Sequence, residues 1–492
     1  MKIYRLIKPL GARIVCTLNK LRHADIRGIE DVGVYKALPD SVVKGFNKRR
    51  LLGPQKLLCY APFKMIYFAF NGEVIACCHN RRHIIGRYPA QRIEEIWNGE
   101  SFNILRGYIQ HNDLSYGCDV CKNALLAGNY EGAKNGLYDR YPVRPYPQIM
   151  EFELDNRCNL ECVICNDIFS SSIDTKDLKT VSKVAYDDEF VKQLEPFIPK
   201  LKEAKFYGGE PFLINIYYNI WEKMLALNPH IEIVVQTNGT VLNERIKKLL
   251  ERGRFNINIS IDSLNKENFE TIRKNASFEN TIKNVDFFKN YCLRKGTHIG
   301  IIPTPNRLNW QDIPGLTNWA SAMGAGIYYN TLITPLELAL WNLPPEKLEA
   351  IHSELASKEI IRNNSVAKKN AQGYNDFLNQ VKAWNTKNKN SAAENTKTKI
   401  SAEDLKLMKE EFMQALRNSL NEEDRDELML LSEQTIASLE NISKSELFFA
   451  IIRKVPIGIV VEEVKKRDPE HLKKIIAKKI FEALGEYEII ES

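Results

Sequence analysis

From residue 147 the apolar positions switch repeatedly between two periods. "QIMEFELDN" (148–156) alternates in steps of two, as a strand does, and "DEFVKQLEPFI" (188–198) repeats every three to four, as an amphipathic helix does. The pair then recurs. "EAKFYG" (203–208) precedes "IYYNIWEKMLAL" (216–227), and "IEIVVQTNG" (231–239) precedes "NERIKKLLERG" (243–253) with Gly253 as a stop. "FNINISIDS" (255–263) leads to "SFENTIKNVDFFKNYCLRKG" (277–296), where Gly296 is a C-cap candidate. "THIGIIPTP" (297–305), "WQDIPGLTNWASAMG" (310–324) and "IYYNTLITP" (327–335) complete about six β/α units. Such a run predicts a parallel sheet with helices outside it, here a partial (β/α)6 barrel of the TIM type, in the α/β class.

The other segments follow different patterns. Residues 1–58 form a segment with no assignable role, and 59–146 a small cysteine-rich module of short strands and turns. The barrel takes 147–340 and a helical extension with a linker 341–399, within which "NTKNKNSAAENTKTK" (385–399) is too poor in apolar residues for a core. Residues 400–492 read as a C-terminal helical accessory region. Ser401 and Asp404 are candidate caps for a helix with Leu405, Met408, Phe412, Leu416 and Leu420 in one stripe. "ELFFAIIRKVPIGIVVEEV" (446–464) is interrupted by Arg453 and Lys454, so it predicts buried core rather than a membrane span.

Composition narrows the function. A net charge of +7 over 492 residues, with no long basic block, gives no nucleic-acid signature. No secretory signal is convincing, so a cytoplasmic location is expected, where ten cysteines do not make a disulfide framework. Eight of the ten fall in two groups, which points to metal.

The second group is "RCNLECVICN" (157–166), with Cys158, Cys162 and Cys165 spaced C-x3-C-x2-C after the first barrel strand. Soft thiolates suit iron–sulfur clusters, zinc or copper, and a closed site wants a fourth ligand. Cys292 lies mid-helix and reads as a small core residue, and His230 opens the third strand at the opposite rim. The loop therefore predicts an open coordination position. "YGGEP", "QTNGT" and "SIDS" end the next three strands, and strand C-termini are where such barrels place their chemistry.

This arrangement resembles the radical S-adenosylmethionine (SAM) enzymes. The resemblance implies a catalytic [4Fe–4S] cluster on Cys158, Cys162 and Cys165, with SAM chelating the vacant iron. It places Gly208, Gly209, Glu210 and Pro211 at the methionyl amino group, with the Glu210 carboxylate as an acceptor for the ammonium. It places Thr237 and Asn238 near the cofactor, and Ser260 and Asp262 toward its ribose and carboxylate. Ile164 stands where the family often has an aromatic residue beside the adenine. The implied reaction is reductive cleavage of SAM and hydrogen-atom abstraction from the substrate.

The first group comprises Cys59, Cys77, Cys78, Cys118 and Cys121. Four thiols with one C-x2-C pair suit a structural zinc as well as a cluster. The run C-x12-G-x4-C from Cys59 through Gly72 to Cys77, closed by "CDVC", resembles the SPASM and twitch modules of radical SAM maturases. That implies a second [4Fe–4S] cluster on Cys59, Cys77, Cys118 and Cys121, with Cys78 as an alternative ligand, a spare thiol or a hydrogen-atom donor. In those relatives the module follows the barrel, whereas here it precedes it. His79 and His83 read as surface or neighbouring groups rather than ligands.

The resemblance implies oxidative modification of a peptide or protein, such as a thioether, crosslink or dehydrogenation, and an external one-electron donor of flavodoxin or ferredoxin type. Dehydrogenation or epimerisation of a small metabolite such as a sugar or nucleotide is the second expectation. A non-catalytic, metal-stabilised binding protein is the third. The residues leave the catalytic acid or base unassigned.

Overall fold

In the computed structural model the chain is a mixed α/β protein. The structure describes residues 35–437 other than 82, 131, 167–168, 174–185, 394–397, 421 and 423–424, together with Val464 and Tyr487–Ile490. Two compact units are present, Met1–Lys382 and Ala383–Ser492.

The first unit is built on a nine-stranded sheet. Its strands are β1 (Met65–Ala69), β2 (Glu73–Ile75), β3 (Gly86–Arg87), β4 (Ile149–Glu153), β5 (Glu203–Phe206), β6 (Glu232–Thr237), β7 (Phe255–Ile259), β8 (Ile299–Ile301) and β9 (Gly326–Ile327), in the order β3-β2-β1-β4-β5-β6-β7-β8-β9. Strands β4 to β9 pair parallel throughout, as the alternating pattern requires. Helices Asp188–Leu194, Asn215–Leu227, Glu244–Arg252, Phe278–Lys295 and Ile313–Ala322 connect them. Gly253 ends the third of these, and Gly296 ends the fourth with φ +64°, a left-handed conformation that suits glycine.

Period-two alternation gives the sheet two unlike faces. Met150, Phe152, Phe206 and Ile233 point outward, where Phe152 stacks on Phe206 at 4.9 Å and Phe206 meets Trp221 edge-on at 5.2 Å. Tyr67, Glu151, Glu153, Lys205, Gln236 and Asn258 lie on the opposite, concave face.

The cysteine-rich module is not a separate appendage. Its hairpin β1–β2 joins the barrel sheet, because β1 pairs parallel with β4 over the full strand, from Met65 with Ile149 to Ala69 with Glu153. Cys59 precedes β1, and Cys77 follows β2 as it returns antiparallel, so both stand at the N-terminal end of β4. The loop bearing Cys158 leaves the C-terminal end. Five strand residues separate the two levels by about 13 Å at ~3.3 Å per residue.

Several local expectations differ from the structure. The last barrel strand is two residues long rather than nine. An additional helix, Lys266–Ile272, is capped by Asn265. Residues 385–393, expected as linker, continue the helix Ser365–Ala393, whose earlier turns are anchored by the buried Tyr374, Phe377 and Val381. In the second unit Ser401 ends a short strand, Thr398–Ser401, before the helix Ala402–Ser419, which buries Phe412 and Leu416. Residues 1–34 lie outside the described residues. So does the expected core segment 446–464 apart from Val464, which is buried. Among the described residues no helix is long and apolar enough to cross a membrane.

Candidate functional site

The loop after β4 is held on three sides. Glu161 N–H and Val163 N–H donate to the carbonyls of Lys274 and Ile272, and Glu161 pairs with Lys274 Nζ at 2.8 Å. Ser172 Oγ donates to Cys158 O at 2.7 Å, and Ser170 Oγ to Leu160 O at 2.7 Å. Cys162 lies close to Cys158, Cys165, Arg273 and Asp262, and burial pushes its thiol up to about 11 against the pull of Arg273. Ile164 is half-buried in the same loop.

Gly208 and Gly209 let the end of β5 close onto this loop. Gly209 N–H donates to Asp155 O at 3.1 Å, and Glu210 N–H to Arg157 O at 2.7 Å. A Cβ on Gly208 would collide with Asp155 O, and one on Gly209 with the carbonyls of Asn156 and Arg157. The glycines therefore seat the strand end directly against the residues preceding Cys158. Pro211 opens a single 3-10 turn, Pro211–Leu213.

Glu210 departs from the expectation of an acceptor presented to the ligand. It is fully buried, and its oxygens accept from Phe212 N–H, Thr237 Oγ1 at 2.8 Å and Asn238 N–H at 2.7 Å. It thus locks the end of β6 to the end of β5. Burial raises its carboxyl from 4.5 to about 7, partly offset by those donors. Thr237 is buried with it. Asn238 turns its side-chain amide toward the loop, with Nδ2 3.9 Å from Cys158 Sγ and 3.0 Å from Asn159 Oδ1.

Asp262 also departs from expectation. It has no exposed surface, accepts from Thr304 N–H at 2.7 Å, and has Arg273 Nη2 2.7 Å from its Oδ2. That last approach is an ion contact without hydrogen-bond alignment, since Oδ2 and Arg273 Nε both lack a hydrogen-bonding partner among the described residues. The carboxylate therefore positions Arg273 beside Cys162 and Cys165. Sequence reasoning missed Arg273, which follows a short charged helix and belongs to no pattern. Ser260, half-buried on the concave face, remains available.

This constellation fits a cluster with bound SAM. Cys158, Cys162 and Cys165 share one loop within electrostatic reach of each other, the glycine backbone lies against that loop, and the buried Arg273 guanidinium near the thiols keeps an Nε–H without a partner among the described residues.

At the other end of β4, Cys59, Cys77, Cys118 and Cys121 feel one another's charge. Burial pushes Cys59 up to about 12 and raises the other three, so binding a metal group must release protons. Cys78 faces elsewhere. Its electrostatic neighbours beyond Cys77 are Glu151, Arg81 and Lys205, on the concave side. His83 lies against the Tyr116 ring. Among the described residues no cysteine forms a disulfide, and no group of three or more His, Cys, Asp or Glu is drawn together closely enough to hold a metal ion.

Between the two cysteine groups the concave face is charged. Glu151 accepts from Lys205 Nζ at 2.8 Å through Oε1, while its buried Oε2 has no partner among the described residues. Burial raises this carboxyl and Lys205 opposes the rise. Glu153 Oε2 receives Tyr67 Oη at 2.5 Å and Arg81 Nη2 at 2.7 Å, and the Arg81 guanidinium also lies over Phe169 of the cysteine loop.

Residues 153–320 match the radical SAM superfamily, and residues 59–123 match SPASM, an iron–sulfur cluster-binding domain. The chain is similar to GTP 3',8-cyclase of Paenarthrobacter nicotinovorans, 29% identical over 166 residues, covering 33% of this chain and 44% of that protein. It is also similar to AdoMet-dependent heme synthase of Methanosarcina barkeri, 27% identical over 192 residues, covering 38% and 51%. It spans about half the length, or less, of these curated relatives. Among solved structures, native anSMEcpe with bound AdoMet and Kp18Cys peptide aligns at TM-score 0.34 and 18% identity, covering 47% of this chain and 61% of that one.

Proposed function

We propose that this chain, a radical SAM enzyme with an iron–sulfur cluster-binding module at its N-terminal side, removes a hydrogen atom from a substrate held inside the barrel between its two cysteine groups. One observation carries the reading: the groups stand at opposite ends of β4, and the face joining them is lined by Tyr67, Glu151, Glu153 and Lys205. When bound and reduced, the catalytic cluster and SAM supply a 5'-deoxyadenosyl radical, which needs an external one-electron donor.

In this reading Cys158, Cys162 and Cys165 hold the catalytic [4Fe–4S] cluster, and Cys59, Cys77, Cys118 and Cys121 a second one. Gly208 and Gly209 present backbone to the amino group of SAM. Arg273, set by Asp262, offers its free N–H to the carboxylate. Asn238, Ser260 and Ile164 border the rest of the cofactor, while Glu210, Pro211 and Thr237 shape the wall behind it. Glu151 Oε2 accepts a proton from the substrate, and Lys205 holds the carboxylate in place. Cysteines serving as cluster ligands suit a reducing, cytoplasmic setting.

For the substrate, the SPASM match supports a peptide or protein side chain undergoing oxidative modification. A small polar metabolite such as a nucleotide is the second reading, favoured by the similarity to GTP 3',8-cyclases. Anaerobic reconstitution tests the common ground. Wild type should bind about eight irons, and a protein with Cys158, Cys162 and Cys165 all changed to Ala about four. Wild type, and not that variant, should form 5'-deoxyadenosine with dithionite. Loss of two hydrogens from a peptide favours the first substrate class, and a new nucleoside species the second.

A further inference from the structure

Asn80 lies three residues past Cys77 and is 1% exposed. Its backbone N–H donates to Cys77 O at 3.0 Å, and its side-chain Nδ2 stands 3.2 Å from Tyr116 O and 3.3 Å from Cys118 Sγ. The Tyr116 carbonyl can only accept, so the nitrogen end of the amide must face it. The second N–H then falls on the sulfur. Oδ1 is left buried without a partner among the described residues, in the space beside Gly117. Gly117 has φ +74°, and a Cβ there would collide with Oδ1. The chain thus places a glycine immediately before Cys118 and leaves a buried acceptor unsatisfied, which costs stability. Packing alone gives no reason for it.

We propose that Asn80 tunes the N-terminal iron–sulfur site, its side-chain amide donating to the Cys118 thiolate and raising the reduction potential of the group the four cysteines hold. This rests on reading Cys59, Cys77, Cys118 and Cys121 as cluster ligands. An added electron increases the negative charge on the ligand sulfurs, so a fixed donor stabilises the reduced state more than the oxidised one. Burial strengthens the effect by excluding water from the same sulfur. Cys59 receives a comparable donor, Ala61 N–H at 3.4 Å, but from the backbone. The Asn80 amide is a side chain and can be removed alone.

The test uses full-length protein with Cys158, Cys162 and Cys165 changed to Ala, so that only the N-terminal site is loaded. Iron content is measured first. If no cluster assembles there, the reading of the four cysteines fails before Asn80 is in question. With about four irons bound, Asn80→Leu should lower the reduced-to-oxidised ratio at a fixed solution potential about tenfold, 59 mV for a one-electron couple. Full iron content with an unchanged midpoint potential overturns the proposal. Should the Leu variant fail to bind iron, pulsed electron paramagnetic resonance on the reduced parent, with ¹⁵N only in asparagine side-chain amides, decides it. A nitrogen coupling to the cluster supports the donor, and none overturns it.

Discussion

Arg273 and Asp262 meet at 2.7 Å in a site closed to solvent, and each depends on the other to be there. Removing one charge strands its partner. Asp262→Asn should destabilise the apo-protein by about 3–5 kcal/mol in chemical unfolding. Arg273→Lys keeps a charge but loses the fork, so it should fold and bind SAM about tenfold more weakly by equilibrium titration after reconstitution. Unchanged affinity would remove Arg273 from the cofactor site.

Glu210 predicts a dependence on pH. Its folded carboxyl stands near 7 and its ordinary value is 4.5, so between them the folded chain keeps a proton that the unfolded chain has released. The stability it contributes is complete below pH 4.5 and lost as the pH rises toward about 7, an effect of order 3 kcal/mol. Wild-type stability minus that of Glu210→Gln should therefore fall across this window. A flat difference would contradict the assignment.

Gly209→Ala should uncouple β5 from the cysteine loop, because the added carbon meets backbone that has no rotamer to yield. The expected result is loss of about four of about eight irons, with the N-terminal cluster retained. Gly315→Ala, where a Cβ meets nothing within 4 Å, is the control and should keep the full complement.

Glu151→Gln removes the proton acceptor without altering either cysteine group. 5'-Deoxyadenosine should still form while product per 5'-deoxyadenosine drops by about 100-fold or more. A variant whose product yield follows wild type would take Glu151 out of the chemistry.

Much of this was legible in the chain because periodicity and punctuation report local physics. Gly253 and Gly296 mark helix ends, and "RCNLECVICN" and "CDVC" mark thiol groups wherever the backbone goes. What stayed hidden depends on convergence. Arg273 gains meaning only when Asp262 and the cysteine loop close around it. Glu210 and Asp262 read as strand-end residues facing the cofactor, yet both are buried and occupied with neighbouring backbone and side chains. The helix Lys266–Ile272 buries only Phe269 and Ile272, too few apolar positions to set a period. The match to an enzyme superfamily sets aside the reading as a non-catalytic binding protein.

The ladder from Met65–Ile149 to Ala69–Glu153 has a consequence for how the gene can be cut. Nothing in β4 ends the sheet: its five residues are buried, and their open side is covered by β1. A fragment beginning at residue 147 would display a bare hydrophobic edge, and such edges recruit other chains. Expressed alone, the barrel should precipitate or self-associate rather than yield a single-cluster enzyme. The hairpin that precedes β4 in the chain therefore supplies the border on which the barrel sheet ends.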